Sequence, residues 1–402
     1  MPVIIQGGGV NPPVQLDPVQ TIVGVSWPSG FVAAVGAEAV VNFFTGRKLR
    51  LSGGTFVWGQ TVAEILYDVA FQDVPASSDV AAVTGRVVMG GAPVFADSDQ
   101  FWVFDAAGNQ ILALLPFPDV ESADLPTQQG VRAIAIDSQG DMIVGGRYPF
   151  SSLPPTLDPN LKKYTPAGSL LWAVLINPNA TPTTSTDQHY PERIVIDASD
   201  NIFIRSVAPG SGEPTLYKVS SAGAKLWQIT RGAYPGSITR EDFGTGSSIA
   251  LDQAGTGVYV AARQALTSGP EHIKHVDAAG SVSTGPEFDS FVGSTALATN
   301  GDGHVYASGW MTNETDDPAV LRKYMPGSDP ADLTLIGSIT LGVGSVNNRF
   351  VRLVATDDGG VVGCSPTGNI ARYDADGNVL WQTAHGANLN SIAVTRTAAG
   401  SA

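Results

Sequence analysis

Three segments of the chain repeat one short pattern, in which a glycine stands four residues before a tryptophan. The segments are LKKYTPAGSLLWAVL from Leu161, LYKVSSAGAKLWQIT from Leu216 and IARYDADGNVLWQTA from Ile370. Glycine readily adopts the positive φ that a tight turn between two strands requires. A chain that encodes the same hairpin several times must bury the same kind of surface several times, which favours a repeat architecture.

Weaker copies of this hairpin surround Gly108, Gly280 and Gly327, and a decayed copy lies near Gly46. The copies are 55 to 60 residues apart, except for one interval of 97 residues that contains the Gly327 copy. A second motif lies between the hairpins, with an apolar run, a polar turn and another apolar run. It occupies Val131–Gly146, Glu192–Ser206, Ser247–Arg263, Ser294–Gly309 and Val351–Cys364. Its alternation and β-branched content predict a strand–turn–strand unit.

Each period therefore contains four antiparallel strands, and about seven periods fit the chain. This pattern predicts an all-β fold, a β-propeller of seven blades with four strands each. Trp172, Trp227 and Trp381 are predicted to pack between neighbouring blades, because the same gap recurs at each blade. The segment Ser391–Arg396 resembles the first strand of a further unit. We expect it to pair with N-terminal strands and close the ring, since open sheet edges invite aggregation.

The domain organisation follows from where the repeats lie. Residues 1–20 contain GGGVNPP and show no periodicity, so they are predicted to form an extended arm. Residues 21–402 are predicted to form a single β-propeller domain.

Composition excludes several classes of partner. The net charge is −15 and charged residues make up only 15% of the chain, which argues against a nucleic-acid-binding surface. No apolar run approaches the roughly 20 residues of a membrane-spanning helix, and the first residues do not resemble a secretory signal. A single cysteine, Cys364, permits neither an intrachain disulfide nor a cysteine-based zinc site.

The motifs of common catalytic and metal sites are not evident. His272 and His275 are three residues apart, so on a strand they point to opposite faces, and a solvated strand is the favoured interpretation. The DADG and NGDG segments resemble part of a calcium loop but lack its downstream glutamate, which favours hairpin turns. There is no nucleophile elbow and no phosphate-binding loop. We therefore predict no catalytic residues, no cofactor and no metal site.

The connections between motifs are long, and an antiparallel meander places them all at the same end of the strands. Long loops on a rigid scaffold often carry binding residues. The candidate binding residues on these loops are Tyr148, Phe150, Tyr190, Tyr234, Phe243 and Trp310. The alternative, that these loops vary without a function, stays open.

The second motif and the hairpin together resemble the propeller repeats of the NHL and SBBP type. The shared form is IAID-x-x-G-x-x-x-V-x-G followed by K-Y-x-x-x-G-x-x-L-W. It covers most of Val131 to Arg396 closely, and Val23 to Leu115 more loosely. The resemblance implies a binding or scaffold module, although some relatives of this type are enzymes.

The favoured functional hypothesis is a non-enzymatic structural or binding propeller in a large assembly. The arm, the low charge density and the β-rich composition resemble those of bacteriophage virion proteins of the tail or tail-nozzle type. The arm would then contact other virion subunits, and the loops would contact a host glycan or surface protein. The alternative is a bacterial extracellular or periplasmic propeller that binds or cleaves glycans. Carboxylates that converge on the central channel would favour an enzyme.

Overall fold

The structure is a computed structural model. It describes residues 21–27, 32–34, 40–42, 44–50, 56–62, 65–74, 83–92, 101–105, 107–117, 130–147, 160–176, 190–207, 214–230, 249–263, 271–283, 287–288, 291–311, 319–342, 349–356, 358–365, 367–384 and 388–394. The predicted arm, residues 1–20, lies outside these ranges. Every regular element that the structure describes is a β-strand.

The strands are, in chain order, β1 (Thr21–Trp27), β2 (Val32–Ala34), β3 (Val40–Asn42), β4 (Phe44–Arg50), β5 (Phe56–Val62), β6 (Ile65–Val74), β7 (Val83–Ala92), β8 (Phe101–Phe104), β9 (Gln110–Leu114), β10 (Gly130–Ile136), β11 (Met142–Arg147), β12 (Leu161–Tyr164), β13 (Leu170–Val174), β14 (Tyr190–Ile196), β15 (Ile202–Val207), β16 (Pro214–Val219), β17 (Lys225–Thr230), β18 (Ile249–Leu251), β19 (Val258–Arg263), β20 (Glu271–Val276), β21 (Glu287–Phe288), β22 (Phe291–Thr299), β23 (Val305–Met311), β24 (Ala319–Pro326), β25 (Leu333–Gly342), β26 (Arg352–Ala355), β27 (Val361–Cys364), β28 (Asn369–Tyr373), β29 (Val379–Ala384) and β30 (Asn388–Val394).

Within the described residues, six four-stranded antiparallel sheets are each built from consecutive strands. We call them blades I (β6–β9), II (β10–β13), III (β14–β17), IV (β18–β21), V (β22–β25) and VI (β26–β29). In each blade the chain runs as a meander from the first strand to the fourth. The all-β propeller predicted from the repeats is therefore confirmed in its architecture. Strands β2 and β3 form a separate two-stranded sheet.

The first strand of each blade lies innermost and contacts the first strand of the next blade, from β6 through β10, β14, β18 and β22 to β26. A further four-stranded sheet has the order β30-β1-β4-β5, which joins the end of the described chain to its beginning. In it Ile392 pairs with Gly24. Strand β30 contacts both β26 and β6. The predicted pairing of the Ser391 segment with N-terminal strands is thus confirmed.

The tight turns share one hydrogen-bond pattern, which the DADG turn of blade VI illustrates. The Asp374 carboxylate accepts hydrogen bonds from the backbone N–H groups of Asp376 (3.0 Å) and Asn378 (2.8 Å). Gly377 closes the turn with φ of 87°. In NGDG, Asn300 plays the part of Asp374 and accepts from the His304 N–H. Both segments are therefore hairpin turns, as predicted, because the turn itself uses the side-chain oxygens.

The repeated tryptophans lie between blades and are only partly buried. Trp172 of blade II donates from Nε1 to the Ser221 carbonyl in the turn of blade III, at 3.0 Å. Trp227 of blade III makes the same bond to the Ala278 carbonyl of blade IV, at 2.9 Å. A Cβ at Gly280 would lie 3.1 Å from the Trp227 ring. The turn glycine thus supplies both the positive φ and the space for the neighbour's indole, and the predicted inter-blade position is confirmed for Trp172 and Trp227.

Replacing Trp227 with alanine removes this packing and this hydrogen bond at one blade interface. Because the indole is only partly buried, we expect Trp227→Ala to lower the free energy of unfolding by about 2 kcal/mol, below the range for a core tryptophan. The adjacent Leu226 is 52% exposed and provides the control. Leu226→Ala should change stability by less than about 0.5 kcal/mol. Equal shifts of the urea midpoint in the two variants would show that Trp227 does not link the blades.

Candidate axial site

One register position on the innermost strands brings polar side chains to the axis of the propeller. In blades II, III, V and VI it lies four residues before the first residue of the following turn, as in Arg-Ile-Val-Ile-Asp of β14. In β6, β10, β14, β22 and β30 it is the residue beside an irregularity in the strand pairing. The described residues at this position are Asp68, Ala133, Arg193, Ala296, Arg352 and Ser391. The blade IV residue, Ser248, lies outside the described ranges. Alanine leaves room at two strands, and charged or hydroxyl side chains from four others fill the centre.

Asp68 is the hub of this position, and its side chain is 1% exposed. Its Oδ1 accepts hydrogen bonds from Arg193 Nη1 of blade III (2.9 Å) and from Ser391 Oγ of β30 (2.6 Å). Its Oδ2 accepts from the backbone N–H of Ile134 in blade II, at 2.9 Å. Arg352 Nη2 of blade VI lies 3.8 Å from Oδ1. Five innermost strands therefore meet at one carboxylate. We call Asp68, Arg193, Arg352 and Ser391 the axial cluster.

The charges of the axial cluster perturb one another. Burial by itself would raise the pKa of Asp68, but Arg193, Arg352, the Ser391 hydroxyl and the Ile134 N–H together hold it below its ordinary value. Burial and the nearby charge of Arg193 lower the pKa of Arg352 to about 10, against the opposing effect of Asp68. Two guanidinium groups therefore share one carboxylate, and the two groups repel each other.

A second carboxylate, Glu192, lies next to the axial cluster on β14. Its Oε2 is 3.6 Å from Arg205 Nη1, and its side chain is 20% exposed. Burial raises the pKa of Glu192, although Arg205, Arg193 and Arg132 act in the opposite direction. A carboxyl group with a raised pKa near cationic groups can exchange protons at a pH closer to neutrality.

The axial cluster lies in the first half or at the middle of its strands. Asp68 is the fourth of ten residues in β6, Arg193 and Ser391 are each the fourth of seven in β14 and β30, and Arg352 is the first of β26. In a meander the end at which the innermost strands begin also receives the connections between motifs, whereas the tight turns lie at the opposite end. The predicted asymmetry of the two ends is consistent with this topology.

The predicted binding residues are placed only in part. Tyr148, Phe150, Tyr234 and Phe243 lie outside the described residues. Tyr190 is the first residue of β14, and Trp310 belongs to β23, where it pairs with Val292 and Ala319. Their assignment to loops was therefore wrong for these two positions. Strands β14 and β23 include Tyr190 and Trp310, and aromatic residues favour strands.

The interpretation of the histidine pair as part of a solvated strand was wrong for His275. This side chain is buried in blade IV, and its Nε2 lies 2.9 Å from Asp252 Oδ2. The ring also packs against Tyr259, with centroids 5.2 Å apart. The sequence spacing of the histidines carried no sign of this, because Asp252 belongs to a different strand–turn unit.

The axial cluster was likewise absent from the sequence predictions. Its members are far apart in the chain, and Asp68 and Arg193 are separated by 125 positions. The available signal was an alignment of the repeats, in which aspartate and arginine stand where other copies have alanine. Among the residues with described placement, no three His, Cys, Asp or Glu side chains are grouped as metal ligands. The same residues include no helix long and apolar enough for a membrane span.

No family model and no curated protein matches this chain. Solved structures do match it. A protein from Lactobacillus plantarum superposes with a TM-score of 0.56 at 12% identity, over 94% of this chain and 99% of the other. A protein from Bacteroides fragilis, provisionally described as a 6-phosphogluconolactonase, superposes with a TM-score of 0.55 at 12% identity, over 95% of this chain and 99% of the other. The chain has the β-propeller fold. At this identity the likeness shows the fold alone.

The stability that Asp68 contributes should depend on pH. Its folded-state pKa is lowered, so its contribution is present above the unfolded pKa of about 3.9 and is lost as pH falls through the folded value. Asp68→Asn leaves Arg193 without its buried counter-charge, and we expect a loss of about 3–5 kcal/mol at pH 7. The difference from the wild type should shrink on acidification below about pH 4.

The control for this prediction is Ser391→Ala, which removes one hydrogen bond to Asp68 and no charge. We expect it to cost about 1 kcal/mol and to keep the loss of stability on acidification. Chemical denaturation of the three proteins between pH 3 and 7 measures both effects. A pH-independent cost for Asp68→Asn would contradict an electrostatic role.

Proposed function

We propose that this protein is a binding β-propeller of seven blades, closed by β30, whose axis holds a small anionic ligand. The observation that carries the proposal is the pair of guanidinium groups, Arg193 and Arg352, which both lie within 4 Å of one carboxylate oxygen, Asp68 Oδ1. Two positive charges share a single buried negative charge there. A bound carboxylate or phosphate would supply the missing negative charge, and arginine binds both groups through paired hydrogen bonds.

The hydrogen bonding of Arg193 supports the same conclusion. Its Nη1 binds Asp68, while its Nε is buried and meets no acceptor among the residues that the structure describes. A buried donor without an acceptor costs roughly 1–3 kcal/mol. An anion that approaches this guanidinium group can accept that hydrogen bond.

Access to the site is consistent with ligand binding from one side. The Asp68 side chain is closed off from solvent, whereas that of Arg352 is 17% exposed. Part of the Arg352 side chain is therefore accessible to solvent.

The comparison with the Bacteroides fragilis protein adds limited support. Its provisional description names an enzyme of a phosphorylated sugar lactone, which is an anionic molecule. Because the shared identity is 12%, this likeness suggests a class of probe and carries no residue role.

The anion-binding proposal is tested by calorimetric titration with 6-phosphogluconate, citrate and inorganic phosphate, and with glucose as a neutral comparison. We expect the anions to bind and glucose not to bind. Arg352→Gln should weaken binding about tenfold or more, because it removes a charged hydrogen-bond donor. Lys225→Gln removes the same charge from the exposed outer strand β17 and should leave binding unchanged. Equal binding by the two variants would show that the axial cluster only holds the blades together.

A second candidate function, favoured by Glu192, is acid–base catalysis on the bound anion. Its raised pKa is a property of a general base that activates water. We expect hydrolysis of 6-phosphogluconolactone, followed by proton release, to fall about 100-fold in Glu192→Gln. Binding of 6-phosphogluconate should change much less. If the wild type hydrolyses the lactone no faster than buffer does, the non-enzymatic proposal stands.

The assembly role predicted from the sequence stays a prediction. It depends on the arm, residues 1–20, and on loop residues outside the described ranges. Neither the virion hypothesis nor the glycan-binding alternative is needed for the axial proposal, and both are compatible with it.

A further inference from the structure

A cationic side chain recurs near the end of the third strand in several blades. In blade II, Lys163 Nζ lies 2.6 Å from Asp137 and 3.1 Å from Asp141. In blade III, Lys218 Nζ lies 3.4 Å from Asp197 and contacts the Thr256 carbonyl of blade IV at 3.5 Å. The repeat thus places an ammonium group against the first turn of its own blade, and in blade III this group also reaches the next blade.

Blade V uses its lysine to bridge to the following blade. Lys323 Nζ donates to the Ala375 carbonyl at 2.7 Å, in the second turn of blade VI. The ammonium group of a lysine therefore lies at the interface between blades V and VI, close to a turn of the neighbouring blade.

Blade IV departs from this pattern, because His275 occupies the lysine position. The imidazole is shorter than a lysine side chain and reaches only Asp252, the first residue of its own first turn. Nε2 makes that bond. The other ring nitrogen, Nδ1, has no hydrogen-bond partner among the described residues, although the side chain is only 9% exposed.

A cavity of about 470 Å³ adjoins His275 and opens to solvent. Its polar lining includes Asp252, Asp277, Ser281 and Asp329. Asp329 and Pro330 belong to the second turn of blade V, which is the counterpart of the turn that Lys323 reaches in blade VI. This turn is held over blade IV by the hydrogen bond from the Tyr259 hydroxyl to the Pro330 carbonyl, at 3.0 Å. The cavity therefore lies at the interface between blades IV and V. This interface corresponds to the one between blades V and VI, which Lys323 bridges.

The charged residues that line the cavity are mostly acidic. The lining carries three carboxylates and no lysine or arginine among the described residues. Hydrogen bonds from the turn, chiefly the Ser281 N–H, lower the pKa of Asp277. Burial alone would raise the pKa of Asp252, but His275 and the Gly257 and Thr256 N–H groups hold it below the ordinary value. Both carboxylates are therefore ionised at neutral pH. Ala254, Val282 and Pro330 supply apolar surface beside them.

We propose that this cavity binds a primary ammonium group on a short alkyl chain, which takes the place that a lysine of the chain itself fills in other blades. The ammonium group would donate to the carboxylates and to His275 Nδ1, and the alkyl chain would contact the apolar part of the lining. Either a free diamine or a lysine side chain of a peptide has this chemistry. The site is separate from the axial cluster and does not depend on the anion-binding proposal.

The direct test is a nuclear magnetic resonance titration of the full chain with 1,4-diaminobutane and with Nα-acetyl-lysine methylamide. Butane-1,4-diol, which has no ammonium group, is the matched neutral probe. We expect both amines to shift the resonances of blade IV and the diol to leave them unchanged. Tighter binding of the diamine would identify a free amine as the ligand. Tighter binding of the lysine derivative would identify a lysine side chain of a peptide. Equal shifts with the diol would overturn the proposal.

Two variants locate the ammonium group. His275→Lys restores the side chain of the other blades, so we expect it to abolish amine binding and to raise the melting temperature of the free protein. Asp329→Asn should weaken amine binding about tenfold, whereas Asp302→Asn, in an exposed turn that does not line the cavity, should leave it unchanged. If His275→Lys does not fold, the comparison of Asp329→Asn with Asp302→Asn still tests the site. Amine binding that is unchanged in Asp329→Asn would refute the site.

Discussion

The burial of a single carboxylate at the axis constrains the whole ring. Transfer of Asp68 from water to the protein interior costs several kcal/mol unless charges and donors compensate it. Those partners come from blades II, III and VI and from β30, so none of them can form unless the innermost strands are arranged around one centre. Ser391 and Asp68 are 323 residues apart in the chain. Their hydrogen bond reinforces the ring where the described chain returns to its start.

Away from the axis, adjacent blades are held together by local and repeated contacts. A turn glycine leaves room for the indole of the preceding blade, and that indole donates to a carbonyl of the same turn, as Trp227 does to Ala278. Each interface of this kind can form with only two blades present, which is the nearest-neighbour behaviour of repeat proteins. The axial cluster differs because it couples blades that are not adjacent. The propeller thus combines modular interfaces with one shared centre.

The two candidate sites arise where a blade departs from the repeat. At the axial position, blades II and V have the small apolar residues Ala133 and Ala296, whereas blades III and VI have the charged residues Arg193 and Arg352. At the lysine position, His275 is too short to reach the next blade, and an acidic cavity lies beside it. In both places the backbone of the repeat is kept while a change of side chain alters the chemistry. We propose an anion at the axial cluster and an ammonium group in the inter-blade cavity, so the two candidate ligands carry opposite charges.

The sequence alone determined the features that depend on neighbouring residues. Alternation predicted the strands, glycine and aspartate predicted the turns at Asp374 and Asn300, and the strand-like Ser391 segment predicted closure. These features follow from local backbone geometry and from a repeated surface. Only the tertiary structure decided that Asp68 meets Arg193 and that His275 is buried against Asp252. Trp310, placed in a loop by pattern, belongs to a strand because it pairs with Val292 and Ala319 of the neighbouring strands. Side chains that converge from separate blades leave no mark on local periodicity, because the ring brings them together only when it closes.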